Sequence, residues 1–211
     1  MVNWKEYLLS RCPAESFNSM PQWAREQSAQ WRYADYEAFR YDVIECNGPV
    51  AATCLSLAYQ PKLIVEMGVF SGHTSFILCR ANPDARVHGV DIRSRMKKTT
   101  LSTGYTAMLH GVSNFTLHIG NSFDFAMASV DLCFIDADHC GDAPYLDSLR
   151  AWENRNAAGD WCIAWDDYHP SNPDVVNAVD RFVSEVGMPL HTLMSWVYIG
   201  TKPHSAVEAF L

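Results

Sequence analysis

From Pro61 onward, short apolar runs alternate with longer stretches of mixed character. The runs are Leu63–Val65, Arg86–Val90, Phe115–Ile119, Val130–Ile135, Trp161–Trp165 and Leu190–Tyr198. Their lengths suit strands, and the last is long enough for two. Between them, Thr74–Ala81, Ser94–His110, Pro144–Glu153 and Asp174–Val186 read as helices, the second most weakly. Strands alternating with helices build parallel β-α-β units, whose helices cover both faces of the sheet. Consecutive apolar positions within several runs fit strands buried on both sides. Residues 1 to about 60 have a different texture. Tyr33–Cys46 sets aromatic and β-branched residues among charges with partial helical spacing, Asn47-Gly48-Pro49 breaks the pattern, and Val50–Tyr59 forms a more apolar helix. The expected fold is an α/β open, mostly parallel sheet with helices on both faces over 61–211, preceded by a helical extension or lid over 1–60.

Composition narrows what such a sheet serves. With 48% hydrophobic residues in 211, there is material for one core, and 19% charged residues is too few for a disordered chain. A net charge of −8 speaks against nucleic acid or an anionic membrane surface as partner. No apolar run is long enough to span a bilayer, and the opening MVNWKEYLLSR lacks the apolar segment of a secretory signal, so a soluble, cytoplasmic protein is expected. Seven cysteines without a C-x-x-C spacing, mostly in apolar surroundings such as VAATCLSLA and DLCFI, read as reduced core residues.

In open α/β sheets, ligands bind beyond the carboxyl ends of the strands. Five successive run ends here carry glycine or carboxylate. They are Glu66-Met67-Gly68-Val69-Phe70-Ser71-Gly72, then Asp91-Ile92, Gly120-Asn121-Ser122, Asp136-Ala137-Asp138-His139 and Asp166-Asp167-Tyr168-His169. Glycines permit a tight turn and close approach to a ligand. Asp91, nineteen residues beyond Gly72, is placed to accept hydrogen bonds from ribose hydroxyls. The glycine spacing departs from G-x-G-x-x-G, so a nucleoside without a pyrophosphate fits better. Ser122 is either a turn and cap residue or an adenine-edge contact. Asp136, Asp166 and Asp167, at the ends of neighbouring strands, would repel one another without a cation, and an all-oxygen set suits Mg²⁺. Asp138 reads as a helix N-cap. His139 is a candidate general base near neutral pH or, alternatively, a capping residue. Tyr168 and His169 either line an acceptor pocket or face solvent. Arg93–Lys98 reads as a solvated basic run.

LIVEMGVFSGHTS, HGVDIR, GNS, CFIDADH and IAWDDYH resemble, in order, the motifs of class I S-adenosylmethionine-dependent methyltransferases, over roughly residues 61–186. Within that family the likeness is to metal-dependent small-molecule O-methyltransferases, especially those acting on sugars of macrolides and aminocoumarins. Catechol-type and caffeoyl-type relatives carry Asp-Asn where this chain has Asp166-Asp167, which favours the sugar-type branch. The resemblance implies a Rossmann-like fold and S-adenosylmethionine as cofactor. By it, Gly68 and Gly72 flank the methionine part, Asp91 holds the ribose and Ser122 lies near adenine. Glu66, Ser71, Ile92 and Asp136 complete the expected cofactor-binding set. It further implies Mg²⁺ or another divalent cation on Asp136, Asp166 and Asp167, with His139 as base, Asp136 beside it in catalysis, and residues 1–60 over the substrate. The expected partner is a small hydroxyl-bearing acceptor, with a homo-oligomer left open. Two alternatives stand beside this reading: a metal-independent methyltransferase acting on nitrogen or oxygen, and a non-catalytic nucleoside-binding protein on the same sheet.

Overall fold

A computed structural model describes residues 47–70, 72–93, 103–104, 112–194 and 196–211. The expected helix over Tyr33–Cys46, most of Ser94–His110, and Ser71 lie outside these residues. Seven strands form one sheet: β1 (Leu63–Met67), β2 (Arg86–Asp91), β3 (Phe115–Ile119), β4 (Leu132–Ile135), β5 (Cys162–Trp165), β6 (His191–Leu193) and β7 (Trp196–Gly200). Their order is β3-β2-β1-β4-β5-β7-β6. The first five are mutually parallel, whereas β7 runs antiparallel between β5 and β6. The chain therefore reverses its direction of travel across the sheet between β1 and β4, which is where doubly wound sheets open a ligand crevice.

Successive residues of a strand point to opposite faces, and the core divides accordingly. On one face Ile64, Val87, Phe134, Ala164 and Tyr198 meet helices α1 (Asn47–Tyr59) and α2 (His73–Ala81). On the other, Val65, Met67, Ile135, Trp165 and Ile199 meet α3 (Ala143–Asn154) and α4 (Pro173–Val186). A short C-terminal helix, α5 (His204–Glu208), buries Val207 against the first face. It has too few residues to leave a periodic trace in the sequence.

Asn47-Gly48-Pro49 forms the first turn of α1, so this helix begins three residues before the expected Val50. Proline is tolerated there because the first amide groups of a helix have no intrahelical acceptor. Ala51, Ala52, Cys54 and Leu55 of α1 are fully buried in the same core as the sheet. Of the five described cysteines, all are free, four are buried as expected, and Cys140 is exposed.

Strand β1 extends past its apolar run through Glu66, a carboxyl group buried in the core. It is tolerated because Ser75 Oγ, at the start of α2, donates a hydrogen bond to Glu66 Oε2, and because burial pushes the Glu66 pKa up to about 8. The folded protein thus holds this proton more tightly than the unfolded chain. The associated stability is complete below the ordinary glutamate pKa and is lost as pH rises through about 8. In thermal melts between pH 5 and 8.5, the Tm of the wild type should fall more steeply than that of Glu66→Gln, which keeps a hydrogen-bonding partner for Ser75 but cannot ionise. Parallel pH profiles would contradict this account of Glu66.

Candidate active site

The turn after β1 is shaped by a close approach. Gly68 has φ +90°, and a Cβ placed on it would stand 1.9 Å from the Asp136 carbonyl oxygen. Only glycine fits, and the first loop is thereby seated directly on the backbone at the end of β4. Gly72, which begins α2 at φ +79°, lies against Gly104, where a Cβ would come within 2.7 Å of the Gly104 Cα. Gly104 N–H also donates to the Phe70 carbonyl at 2.8 Å. Gly104 falls in the weakly patterned stretch 94–110, so sequence periodicity gave no reason to select it.

Asp91 ends β2 and grips this loop. Its Oδ2 accepts the N–H groups of Val69 at 3.1 Å and Phe70 at 2.9 Å, and its Oδ1 accepts the Arg93 N–H at 2.9 Å. A carboxylate offers about four acceptor positions, so roughly one remains for a ligand hydroxyl. Around it, Phe70, Ile92 and Ile119 expose large apolar side chains, Ile92 to 68%. At the end of β3, the Ser122–Asp124 turn is capped by Asn121 Oδ1, which accepts the Phe123 N–H, so Ser122 is not the cap. The Ser122 hydroxyl instead pairs with the buried carboxyl of Asp147 on α3, whose pKa burial raises to about 6. One turn later Arg150 Nε donates to the Phe123 carbonyl at 2.7 Å.

The ends of β4 and β5 converge on three ligand-type side chains. One atom each from Asp136, His139 and Asp167 lie within 4.8 Å of one another. His139 Nε2 stands 3.4 Å from Asp136 Oδ1 and 3.4 Å from Asp167 Oδ2. It is buried, and neither contact has hydrogen-bond geometry. The Asp136 carboxylate holds the His139 pKa above its usual value, while burial raises that of Asp136. Asp166 stands behind this group. Its Oδ1 accepts the N–H of Asp167 at 2.8 Å, and burial with the nearby Asp136 charge pushes its pKa up to about 6. Asp167 has φ +57°, a conformation that aspartate and asparagine adopt more readily than most residues. Its carbonyl accepts from the His169 N–H and the Asn172 side chain. The β4 loop is tied to α4 through Gly141 N–H and Asp174 Oδ2, at 2.8 Å. Beside the cluster opens a cavity of about 590 Å³, lined by Asp166, Asp167, Tyr168, His169, Thr192 and Met194 among others. That is ample for a small molecule.

Comparison with known proteins decides the family. Residues 65–168, which carry every one of these strand-end features from Glu66 to Asp167, match the family model described as a methyltransferase domain. The chain carries a methyltransferase domain. Among solved structures, the methyltransferase is similar to the S-adenosylhomocysteine-bound PaMTH1 of Podospora anserina, with TM-score 0.59, 16% identity, and coverage of 87% of this chain and 89% of that one. It is also similar to an O-methyltransferase from Bacillus cereus in complex with S-adenosylhomocysteine, with TM-score 0.59, 13% identity, and coverage of 86% and 92%. At such identities the likeness is one of fold. No curated protein matches the chain in sequence.

In the methyltransferase, the residues selected from sequence fall into three groups. Gly68, Gly72, Asp91, Ile92, Asp136, His139, Asp166 and Asp167 lie at or just after the C-terminal ends of β1, β2, β4 and β5, only Asp166 and Asp167 of them line the cavity, and Ser71 lies outside the described residues. Glu66 is buried, and its Oε2 accepts from Ser75 Oγ. Asp138 is not the N-cap of α3, a position held by Asp142; its Oδ1 accepts the Cys140 N–H within the β4 loop. Of the basic run, Arg93 alone is described. Tyr168 and His169 line the cavity, with Tyr168 OH donating to Asp180. Asp147, Asn172 and Asp174 went unselected because single polar residues inside helices carry no distinguishing spacing.

Asp91 as loop clamp has a consequence that needs no cofactor. Hydrogen bonds to charged groups contribute about 1.5–3 kcal/mol each where they are well shielded, and less in partly exposed sites such as this one. Asp91→Ala should therefore lower the Tm of the cofactor-free methyltransferase by several degrees in a thermal melt. An unchanged Tm would show that Asp91 does not hold the loop.

Proposed function

We propose that this methyltransferase moves the sulfonium methyl group of S-adenosylmethionine to a hydroxyl of a small molecule seated in the cavity beside Asp167, assisted by a divalent cation. The observation that carries this reading is the cluster of Asp136, His139 and Asp167 at the cavity, in backbone contact with the glycine loop through Gly68. On this reading the glycine loop would receive the cofactor and the cavity the acceptor, with the cluster between them. Gly68 and Gly72 would border the methionine part of the cofactor, and the remaining acceptor position of Asp91 would take a ribose hydroxyl. Ile92 and Ser122 would border the nucleoside.

The residues fit a cation. Two carboxylate oxygens and a buried imidazole nitrogen lacking a hydrogen-bond partner face one another, and like charges so close are costly without a positive neighbour. Asp136 and Asp167 would hold a divalent cation, which when bound would supply Lewis acidity toward an acceptor hydroxyl. In the transfer, the acceptor oxygen forms a bond to the methyl carbon as the carbon–sulfur bond breaks. The sulfonium leaves as a neutral thioether, and the hydroxyl proton passes to a basic group at the cluster. Because the cofactor is already reactive, much of the rate comes from alignment of oxygen, carbon and sulfur. The resemblance to sugar-type enzymes and the hydrogen-bonding groups of the cavity (His169, Ser171, Asn172 and Thr192) favour a polyhydroxylated acceptor.

A second reading is supported by the same contacts. A protonated His139 between two carboxylates could supply the positive charge itself, and transfer would then proceed without a metal. Activity measured on hydroxyl-bearing small molecules, with chelator and then with added Mg²⁺ or Mn²⁺, separates the two. Asp167→Asn is the informative variant, because asparagine keeps the φ +57° backbone while removing the charge. Turnover should fall more than about a hundredfold, beyond what is typical for residues that only support a ligand, with S-adenosylhomocysteine affinity close to wild type. Full activity in excess chelator would eliminate the cation from the mechanism.

A further inference from the structure

We infer that Asp147 sets the nucleobase preference of the cofactor site. By holding the Ser122 hydroxyl proton, it leaves Ser122 Oγ as an acceptor only, matched to the exocyclic amino group of adenine and mismatched to a carbonyl in the same place. This rests on the cofactor reading above, in which Ser122 borders the nucleoside. Asp147 is a buried carboxyl group that the methyl transfer leaves unused. It stands on the second turn of α3, 1% exposed, and is hydrogen-bonded to Ser122. Its Oδ1 has no hydrogen-bond partner among the described residues. An apolar residue would fill that place at less cost. The backbone of the β3–β4 turn is already held by other means: Asn121 Oδ1 accepts the Phe123 N–H, and Arg150 Nε donates to the Phe123 carbonyl. What Asp147 adds is control of the Ser122 side chain.

Proton count decides the polarity. An ionised carboxylate only accepts hydrogen bonds, whereas a serine hydroxyl has one proton and two lone pairs. Paired with Asp147, Ser122 commits its proton to the carboxylate, and its half-buried oxygen keeps only lone pairs for a ligand. The ring nitrogens of adenine are acceptors, and its exocyclic amino group is the one N–H donor of the base. An acceptor-only oxygen therefore pairs with adenine through that amino group. Hypoxanthine carries a carbonyl oxygen there, so two acceptors would oppose each other. Asp147 is in this sense a positioning residue, acting on the base through Ser122.

Calorimetric titration of the full chain with S-adenosylhomocysteine and with S-inosylhomocysteine, near pH 8, tests this. The wild type should prefer the adenosyl compound by about tenfold or more, a usual discrimination for one well-formed base contact. Ser122→Ala should bring the ratio close to one. Asp147→Asn keeps the side chain's shape, but its amide can donate to Ser122 and free the hydroxyl proton, so the ratio should fall several-fold. On the Ser122→Ala background the same change should leave the ratio as it is. Mere support of the turn would instead weaken both compounds alike. The ratio also cancels titrations elsewhere in the site, because the two compounds share their amino-acid part. In the wild type alone it should decline as pH falls through about 6, where Asp147 takes up a proton and becomes a donor. Burial raises this pKa, Ser122 lowers it and Asp138 of the β4 loop raises it; Cys133 of β4, a thiol that burial keeps protonated, lies close by. A ratio near one in the wild type, or an undiminished ratio in Ser122→Ala or Asp147→Asn, would overturn the inference and leave the cofactor reading intact. Absence of S-adenosylhomocysteine binding to the wild type would overturn both.

Discussion

The contact between Gly68 and the Asp136 carbonyl is the constraint on which the crevice depends. A single methyl group at residue 68 would collide with backbone, not with a side chain that could turn aside. Close packing of this kind leaves no slack to be taken up elsewhere. It fixes the end of β1 against the end of β4, and therefore fixes the glycine loop against the residues that follow Ile135. Asp91 reinforces the same loop from the β2 side through the Val69 and Phe70 amides, and Gly104 from a third direction through the Phe70 carbonyl. A loop held from three sides is preorganised, so little ordering is left to offset ligand binding.

Around this fixed turn the chain concentrates carboxyl groups that would be costly inside a core. The protein handles each differently. Glu66 is buried with Ser75 and holds a proton well above the ordinary glutamate range. Asp147 is buried with Ser122. Asp91 is bonded by three backbone amides. Asp136 and Asp167 face each other across the imidazole of His139, which pairs with both.

The alternation of apolar runs with helical stretches was sufficient to read the sheet, because strands covered on both faces leave little room for polar residues. The run Trp161–Trp165 appears in the structure as β5, Cys162–Trp165, buried at every position. The turn residues were legible for a related reason: glycine and aspartate stand out against apolar strand interiors. Legibility ended where the physics is not local. Nothing in the order of residues shows that Gly104 meets Gly72, that α1 belongs to the core, or that Asp147 answers Ser122. That His139 stands between Asp136 and Asp167 is of the same kind. Spacing identified residues at the strand ends, while side-chain direction determined which of them meet.

The account stands on a cation bound beside the cofactor sulfur, and a crystal structure of the protein with S-adenosylhomocysteine and Mn²⁺, phased for anomalous scattering at the manganese edge, tests it most directly. The account predicts one strong anomalous peak beside Asp136 and Asp167, with the sulfur of the cofactor product facing the same cavity. A peak elsewhere, or fully bound S-adenosylhomocysteine with no manganese at that point, would contradict it.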